Sequence, residues 1–169
     1  GHVDFAPRNE EEIALLRFLL QRYARVSWER VLSGKGLVNI YEFLIATGFG
    51  PERPEITSAM ASQDPAAVVS NSGLKGDPVC RHALDIFVSL YGAQAGNLAL
   101  VYRARGGVYV AGGIAPRIVP LLVEGSFLAA FRNKGRLSPV LDSIPIHVVT
   151  HPAPGILGAA RVAADPSLL

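Results

Sequence analysis

Cysteine is almost absent from this chain, since Cys80 is the only one among 169 residues. A single cysteine excludes an internal disulfide framework and is typical of a protein that works in a reducing compartment. We therefore expect a cytoplasmic protein whose fold is held together by its hydrophobic core. The length corresponds to one domain, large enough to bury such a core.

Charged side chains are also scarce. They make up 18% of the chain, against about a quarter of an average soluble domain. The net charge is only +2, and the basic residues are scattered along the sequence rather than clustered. Nucleic-acid binding requires a basic patch or stripe, so no nucleic-acid partner is expected.

Apolar residues, in contrast, make up 50% of the chain, and its mean hydropathy is +0.31. One explanation is a membrane span, for which the best candidate is 86–102. That stretch carries Gln94, Asn97 and two glycines at close to the minimum spanning length. We interpret it as a buried helix and expect no membrane contact. A second explanation is that part of the surface normally packs against protein outside this chain.

Helix signals follow one another along the sequence. Asn9 and Glu12 form a capping-box pattern, and apolar residues then repeat at helical spacing over 13–26. Ser27 is predicted to cap a short helix that stops at Gly34. Further helices are predicted over 37–46, over 56–63, from Asp64-Pro65 onward, and from Asp77-Pro78 to about Arg103.

Two segments are typical of strands, GVYVAG at 107–112 and IPIHVVTH at 144–151. Helices separate them, so they are predicted to pair in parallel in an α/β sheet with ligand sites at the carboxyl ends of the strands. Gly92 and Gly96 are predicted to let the long helix pack closely against that sheet. Two strands are few for so many helices, so we expect an incomplete sheet. The opening GHVDFAP is interpreted as the end of a strand whose neighbours lie upstream.

The chain contains, in order, the segments GHVDFAP, ERVLSGKGLVNIYEF, GNLALVYRARGGVYVAGGIAPR, FRNKGR and PGILGAA. Together they resemble the C-terminal part of a bacterial glucokinase of the hexokinase/actin-like superfamily. The resemblance implies an α/β protein of two lobes, each with a ribonuclease-H-like core, and a cleft between them for sugar and ATP. Residues 1–169 are expected to form the C-terminal part of the large lobe. The small lobe and the first strands of the large lobe are expected upstream.

The resemblance assigns glucose binding to His2 and Glu29. An imidazole donates a hydrogen bond from one nitrogen and accepts one at the other, which matches a hydroxyl group. A carboxylate accepts charge-assisted hydrogen bonds from two adjacent hydroxyls. The alternatives are a solvated N-terminal histidine and an acidic residue that stabilises a helix N-terminus. Asp4 is expected either to orient His2 or to make a contact at the strand end.

Gly112 and Gly113 match the turn that contacts the adenosine of ATP in this family, where glycine allows a close approach of the backbone. Tight turns between strands and helices need glycine as well. Lys134 and Arg136, in FRNKGR, are interpreted either as phosphate contacts or as a solvated loop. His82, His147 and His151 lack metal-ligand spacing. We expect no metal site within the chain, and Mg²⁺ would arrive with ATP.

The implied function is ATP-dependent phosphorylation of glucose to glucose 6-phosphate by a homodimeric enzyme. The catalytic base, an aspartate, and the phosphate-binding turn are expected upstream, so this chain alone is expected to be inactive and to hold no catalytic residue. Two alternatives stay open. One is a sugar-sensing regulator that shares the fold, and the other is an assembly domain whose long apolar helix forms a dimer interface.

Overall fold

The structure is a computed structural model and describes residues 1–165 and 167. Its regular elements follow one another along the chain with short connections. The α-helices are α1 (Glu10–Leu20), α2 (Gly34–Ala46), α3 (Pro54–Ser62), α4 (Pro65–Leu74), α5 (Pro78–Tyr102), α6 (Val119–Val123), α7 (Ser126–Arg132), α8 (Ser138–Asp142) and α9 (Pro154–Ala164). The strands are β1 (Val108–Val110) and β2 (Ile146–Val148), and short 3₁₀ helices occupy Trp28–Arg30, Ala115–Arg117 and Gly135–Leu137.

The predicted helix caps at three positions are confirmed. The side chain of Asn9 accepts a hydrogen bond from the backbone N–H of Glu12 at 2.9 Å. Asp64 caps α4, and Asp77 caps α5, each with proline in the next position. These helix starts could be predicted because a cap and its partner are only two or three residues apart. The predicted end of α5, near Arg103, is confirmed as well.

Two other helix boundaries differ from the prediction. The first helix ends at Leu20 rather than continuing to Val26, because the Val26 carbonyl accepts a hydrogen bond from Phe5. The helix expected after Ser27 is only the 3₁₀ turn 28–30, in which the Ser27 side chain makes no capping bond. Instead, Ser33 caps α2, which therefore begins before the predicted residue 37.

Helix α5 forms the centre of the molecule, and α2, α4 and α7 pack against it. On length and composition alone it could cross a membrane, but 56% of its most apolar stretch is buried in the protein. The interpretation of 86–102 as part of a core helix is therefore supported. Cys80 is fully buried on this helix, and burial raises the pKa of its thiol to about 12.

The two glycines of α5 face α7. A Cβ atom on Gly92 would lie 2.0 Å from the backbone oxygen of Phe127, and one on Gly96 would lie 2.3 Å from that of Phe131. The prediction of close packing is confirmed, but the prediction that the partner is a sheet is wrong. The backbones of two helices approach here because Gly92 and Gly96 carry no Cβ atom, and the Phe127 and Phe131 side chains are buried in the core beside this contact.

The strands β1 and β2 pair in parallel, with Val108 opposite Ile146, as predicted. Within the described residues they form a two-stranded sheet. On one face Tyr109 stacks on His147, with ring centroids 4.9 Å apart, and Tyr109 stays exposed. Val110 points the other way and is buried. The predicted class, a helix-rich α/β fold with an incomplete sheet, is confirmed.

The contact between α5 and α7 generates a stability prediction. Replacing Gly92 with Ala should lower the free energy of unfolding by about 2 kcal/mol or more, because the new methyl group overlaps a backbone oxygen that cannot move alone. Gly158→Ala is the matched control. It lies in the middle of α9, where, apart from its chain neighbours and the backbone of its own helix, no atom of the described residues is within 4 Å of the added Cβ.

Gly158→Ala should stabilise the protein by up to about 1 kcal/mol, since alanine has the higher helix propensity. Urea unfolding followed by circular dichroism measures both variants. Equal stability of the Gly92→Ala variant and the wild type would contradict the close packing of α5 on α7.

Candidate functional site

The first residues of the chain run antiparallel to the segment that precedes α2. The backbone N–H of Phe5 donates to the Val26 carbonyl at 3.0 Å, that of Trp28 donates to Val3 at 2.9 Å, and that of Glu29 donates to Gly1 at 3.0 Å. Phe5 and Trp28 are both buried, and their rings meet edge to face with centroids 5.2 Å apart. Residues 1–5 are thereby held along residues 26–29.

This pairing brings His2 and Glu29 together. The Nδ1 atom of His2 lies 3.4 Å from the Oε2 atom of Glu29, and the two side chains remain 84% and 54% exposed. Both groups therefore keep access to a ligand in solvent. An imidazole next to a carboxylate offers a donor and several acceptors on one small surface, which suits a ligand with adjacent hydroxyl groups.

Arg25 fixes the backbone around His2. Its Nη1 atom donates to the His2 carbonyl at 2.7 Å and to Oδ1 of Asp4 at 2.6 Å. Asp4 also forms an isolated antiparallel bridge with Ser27. Of the two expectations for Asp4, the structure therefore supports the contact at the strand end. Its carboxylate pairs with a guanidinium rather than with the imidazole.

Glu29 lies in a single 3₁₀ turn, which is held by the side chain that caps α2 and by one side chain within α2. The hydroxyl of Ser33 donates to the Glu29 carbonyl at 2.7 Å and accepts a hydrogen bond from Gly36 N–H at 3.0 Å. The side-chain amide of Asn39, which is buried, donates to the Arg30 carbonyl at 2.8 Å. Glu29 is thus the acidic residue of a three-residue 3₁₀ turn, where the macrodipole is small, rather than of the first turn of an α-helix.

Beyond this turn, a cleft of 650 Å³ opens between the N-terminal ends of α2 and α4 and the segment that follows β1. Gly113 contributes to its wall, together with the cationic residues Lys35 and Arg117. Gly112 adopts a left-handed backbone with φ of +107°, and apart from its two chain neighbours a Cβ placed there would meet no atom of the described residues within 4 Å. Gly112 and Gly113 also line a smaller cavity of 180 Å³ beside Tyr91.

The cleft has the features of a site for an anionic ligand with an apolar part. Its lining is predominantly hydrophobic, with two cations, Lys35 and Arg117, and one carboxylate, Asp64, whose Oδ1 atom accepts a hydrogen bond from the Ala66 N–H at 3.1 Å. Its volume lies in the range of about 300–1,000 Å³ that is usual for small-molecule sites. Lys35 also follows the first residue of α2, where helix N–H groups favour negative charge.

The two basic side chains singled out in FRNKGR, Lys134 and Arg136, have different surroundings. The Nζ atom of Lys134 donates to the carbonyl of Ala93 at 3.0 Å, and burial, together with the charge of Arg8, lowers the pKa of this amine. Lys134 therefore links the segment after α7 to α5. Neither of the two interpretations of this residue, phosphate contact or solvated loop, predicted this hydrogen bond. Arg136 is exposed, as the solvated-loop interpretation expects.

The other three histidines lie apart from the His2–Glu29 pair. His82 contacts Glu11 at 2.7 Å and stacks on Phe49. His147 stacks on Tyr109, and the Nδ1 atom of His151 accepts a hydrogen bond from the following turn. Each of the three thus has a structural contact of its own.

Comparison with known proteins gives one family. The glucokinase family model matches residues 1–166. The chain belongs to the glucokinase family. It is 44% identical to the glucokinase of Trichormus variabilis over 178 aligned positions, which cover 97% of this chain and 52% of that protein. It is 40% identical to the glucokinase of Mesorhizobium japonicum, with 99% of this chain and 47% of the relative covered. The chain thus spans about half the length of the curated relatives it matches.

Solved structures give the same fold. A glucokinase from an Antarctic psychrotroph superposes with a TM-score of 0.80 at 33% identity, covering 95% of this chain and 47% of its own. The glucokinase of Balamuthia mandrillaris, solved in complex with glucose, superposes with a TM-score of 0.74 at 21% identity. The superposition covers 90% of this chain and 42% of the Balamuthia protein. At 21% identity this likeness is evidence for the fold only.

Sequence reasoning named His2, Glu29, Gly112 and Gly113, but it missed the cations of the cleft. Lys35 stands inside the SGKG segment, where a lysine beside two glycines at a helix start is a recognisable anion signal. Arg117 carries no local signal. It lies in a 3₁₀ turn distant in sequence from α2, and only the tertiary fold brings it to the same cleft.

The support of the Glu29 turn by α2 is testable through Asn39. Asn39→Ala should lower the free energy of unfolding by about 1–3 kcal/mol, because it leaves the Arg30 carbonyl without its partner in a buried place. Asn97→Ala is the control, since that amide bonds only to Gln94 on the same helix among the described residues. It should cost well under about 1 kcal/mol. Denaturant titration measures both, and equal losses would contradict a special role for Asn39.

Proposed function

We propose that the complete protein containing this chain is an ATP-dependent glucokinase that converts glucose to glucose 6-phosphate. In this proposal, residues 1–169 form the C-terminal part of the large lobe, and the small lobe and the first strands of the large lobe come from upstream sequence. The observation that carries the proposal is the His2–Glu29 pair, 3.4 Å apart and open to solvent, in a chain of the glucokinase family.

The chemistry of this pair suits a sugar. Glu29 accepts hydrogen bonds from two neighbouring hydroxyls, which orients the ring without reacting with it. His2 contacts a further hydroxyl through an imidazole nitrogen, which either donates or accepts according to its tautomer. These residues position the substrate, and positioning is a large part of catalysis in phosphoryl transfer.

ATP is proposed to occupy the cleft beside Gly113. The glycine turn allows the backbone to approach the adenosine closely, and the cations Lys35 and Arg117 balance the phosphate charge. Mg²⁺ would enter with ATP, as part of the substrate. In this arrangement the nucleotide lies on the β1 side of the molecule and the sugar lies at the 28–30 turn. The N-terminal part of α2 adjoins both places.

In the proposed reaction the 6-hydroxyl oxygen of glucose attacks the γ-phosphorus of ATP. A bond forms between that oxygen and phosphorus, while the bond from phosphorus to the β,γ-bridging oxygen breaks and ADP leaves. The hydroxyl proton passes to an aspartate that lies outside this chain, so the complete protein is required for turnover. The contribution of this chain is to hold both substrates in line.

A sugar-sensing regulator with the same fold would use the same pair to bind glucose, but it would not transfer phosphate. An assembly domain would bind neither substrate. Formation of glucose 6-phosphate by the complete purified protein therefore identifies the kinase, and glucose binding without phosphate transfer separates the regulator from the assembly domain. We also propose that the protein is cytoplasmic and homodimeric. The dimer proposal is supported by Leu98, Val101 and Tyr102, which are exposed on one face at the end of α5.

Glu29→Gln tests the sugar role in the complete protein. The variant keeps the shape of the side chain but loses its charge and replaces one acceptor with a donor. Hydrogen bonds to a charged group contribute about 1.5–3 kcal/mol each, so kcat/KM for glucose should fall about 10- to 10³-fold. The KM for ATP should hardly change, because the nucleotide is proposed to lie in the cleft beside Gly113 and not at this carboxylate. Steady-state kinetics with both substrates provides the measurement.

Glu42→Gln is the control, because Glu42 also forms an ion pair, with Arg22, and lies on the same helix that supports the site. Its kinetics should match those of the wild type. Unchanged glucose kinetics in Glu29→Gln would refute the sugar role, and a melting curve of each variant separates a loss of stability from a loss of binding.

A further inference from the structure

We infer that Ser33 is a positioning residue for glucose binding, because it holds the Glu29 turn against the start of α2. The inference rests on the proposed function and adds a residue that itself touches no substrate. Its basis is the pair of hydrogen bonds that one hydroxyl makes: it donates to the Glu29 carbonyl at 2.7 Å and accepts from Gly36 N–H at 3.0 Å.

The backbone of Glu29 is held on both sides. Its N–H donates to the Gly1 carbonyl at 3.0 Å, and its own carbonyl accepts the hydroxyl of Ser33. The bond to Gly1 fixes the turn relative to His2, and the bond to Ser33 fixes it relative to α2. The carboxylate itself is half exposed, so these backbone bonds restrain its direction more than packing does.

Helix α2, to which Ser33 joins the Glu29 turn, is itself held in place by packing in the core. Several of its residues are buried, and it packs against both α4 and α5. Its first turn lies tightly against the segment after Glu29, since a Cβ on Gly36 would be 2.5 Å from the backbone carbon of Val31. The same turn contributes Gly34 and Lys35 to the large cleft. Ser33 thus connects the proposed sugar contact to the proposed nucleotide site.

The two hydrogen bonds of Ser33 serve different purposes and can be separated. Accepting from Gly36 is ordinary helix capping, a role in which glycine replaces serine at little cost in stability. Donating to Glu29 requires the hydroxyl, and glycine cannot supply it. Threonine keeps the hydroxyl and so keeps both bonds. Ser33→Gly therefore removes the restraint on Glu29 while the helix start is largely retained.

Asn9 provides a matched control. It caps α1 with backbone angles of φ −149° and ψ 173°, close to the −152° and 178° of Ser33. Its side chain likewise accepts a hydrogen bond from the residue three positions on, Glu12, at 2.9 Å. Its bonds do not reach the Glu29 turn. Asn9→Gly therefore reproduces the loss of a cap without the loss of the bond to Glu29.

The experiment measures steady-state kinetics of the complete protein for wild type, Ser33→Gly, Ser33→Thr and Asn9→Gly. We expect Ser33→Gly to raise the KM for glucose about three- to tenfold, as for the loss of one neutral hydrogen bond, with the KM for ATP changed less than about twofold. Ser33→Thr and Asn9→Gly should keep the glucose KM of the wild type. An unchanged glucose KM in Ser33→Gly, or an equal rise in Asn9→Gly, would overturn the inference.

Hydrogen exchange of the same proteins without substrate separates this inference from the proposed function. The amides of 29–32 should exchange several-fold faster in Ser33→Gly than in wild type and remain unchanged in Asn9→Gly. If the wild type fails to phosphorylate glucose, the proposed function is wrong, and the exchange rates still decide whether Ser33 holds the turn. Equal exchange in wild type and Ser33→Gly would refute that role.

Discussion

The pairing of residues 1–5 with residues 26–29 is the constraint on which the candidate site depends. Three backbone hydrogen bonds, together with the buried contact of Phe5 with Trp28, fix the direction of both segments. Only this arrangement puts His2 next to Glu29, since the two residues are far apart in sequence. A backbone ladder anchored by two aromatic rings is more rigid than a contact between two exposed side chains, so the side-chain pair is a consequence of the ladder.

Helix α2 connects the paired segments 1–5 and 26–29 to the rest of the molecule. Its cap Ser33 and, further along the helix, Asn39 hold the 28–30 turn, and its buried face packs on α5. Helix α5 in turn lies against α7, where Gly92 allows the two backbones to approach. The His2–Glu29 pair, the cleft and the core thus form one connected structure, which suits the proposed role of holding two substrates at a fixed separation.

Much of this structure could be predicted from sequence where the cause is local. The caps at Asn9, Asp64 and Asp77 depend on neighbours two or three residues away, and so they were predicted correctly. The end of α1 was not, because its apolar spacing continues to Val26, whereas the bond from Phe5 draws that residue into the ladder. Arg117 in the cleft was missed for a similar reason, since its neighbours there come from distant segments.

A crystal structure of the complete protein with glucose bound tests the proposed sugar site most directly. Sugar hydroxyls should lie within about 3 Å of both the His2 imidazole and the Glu29 carboxylate, with residues 1–5 still paired along 26–29. Glucose bound elsewhere, with both side chains facing solvent, would contradict it. Loss of the backbone pairing in the presence of glucose would contradict it equally.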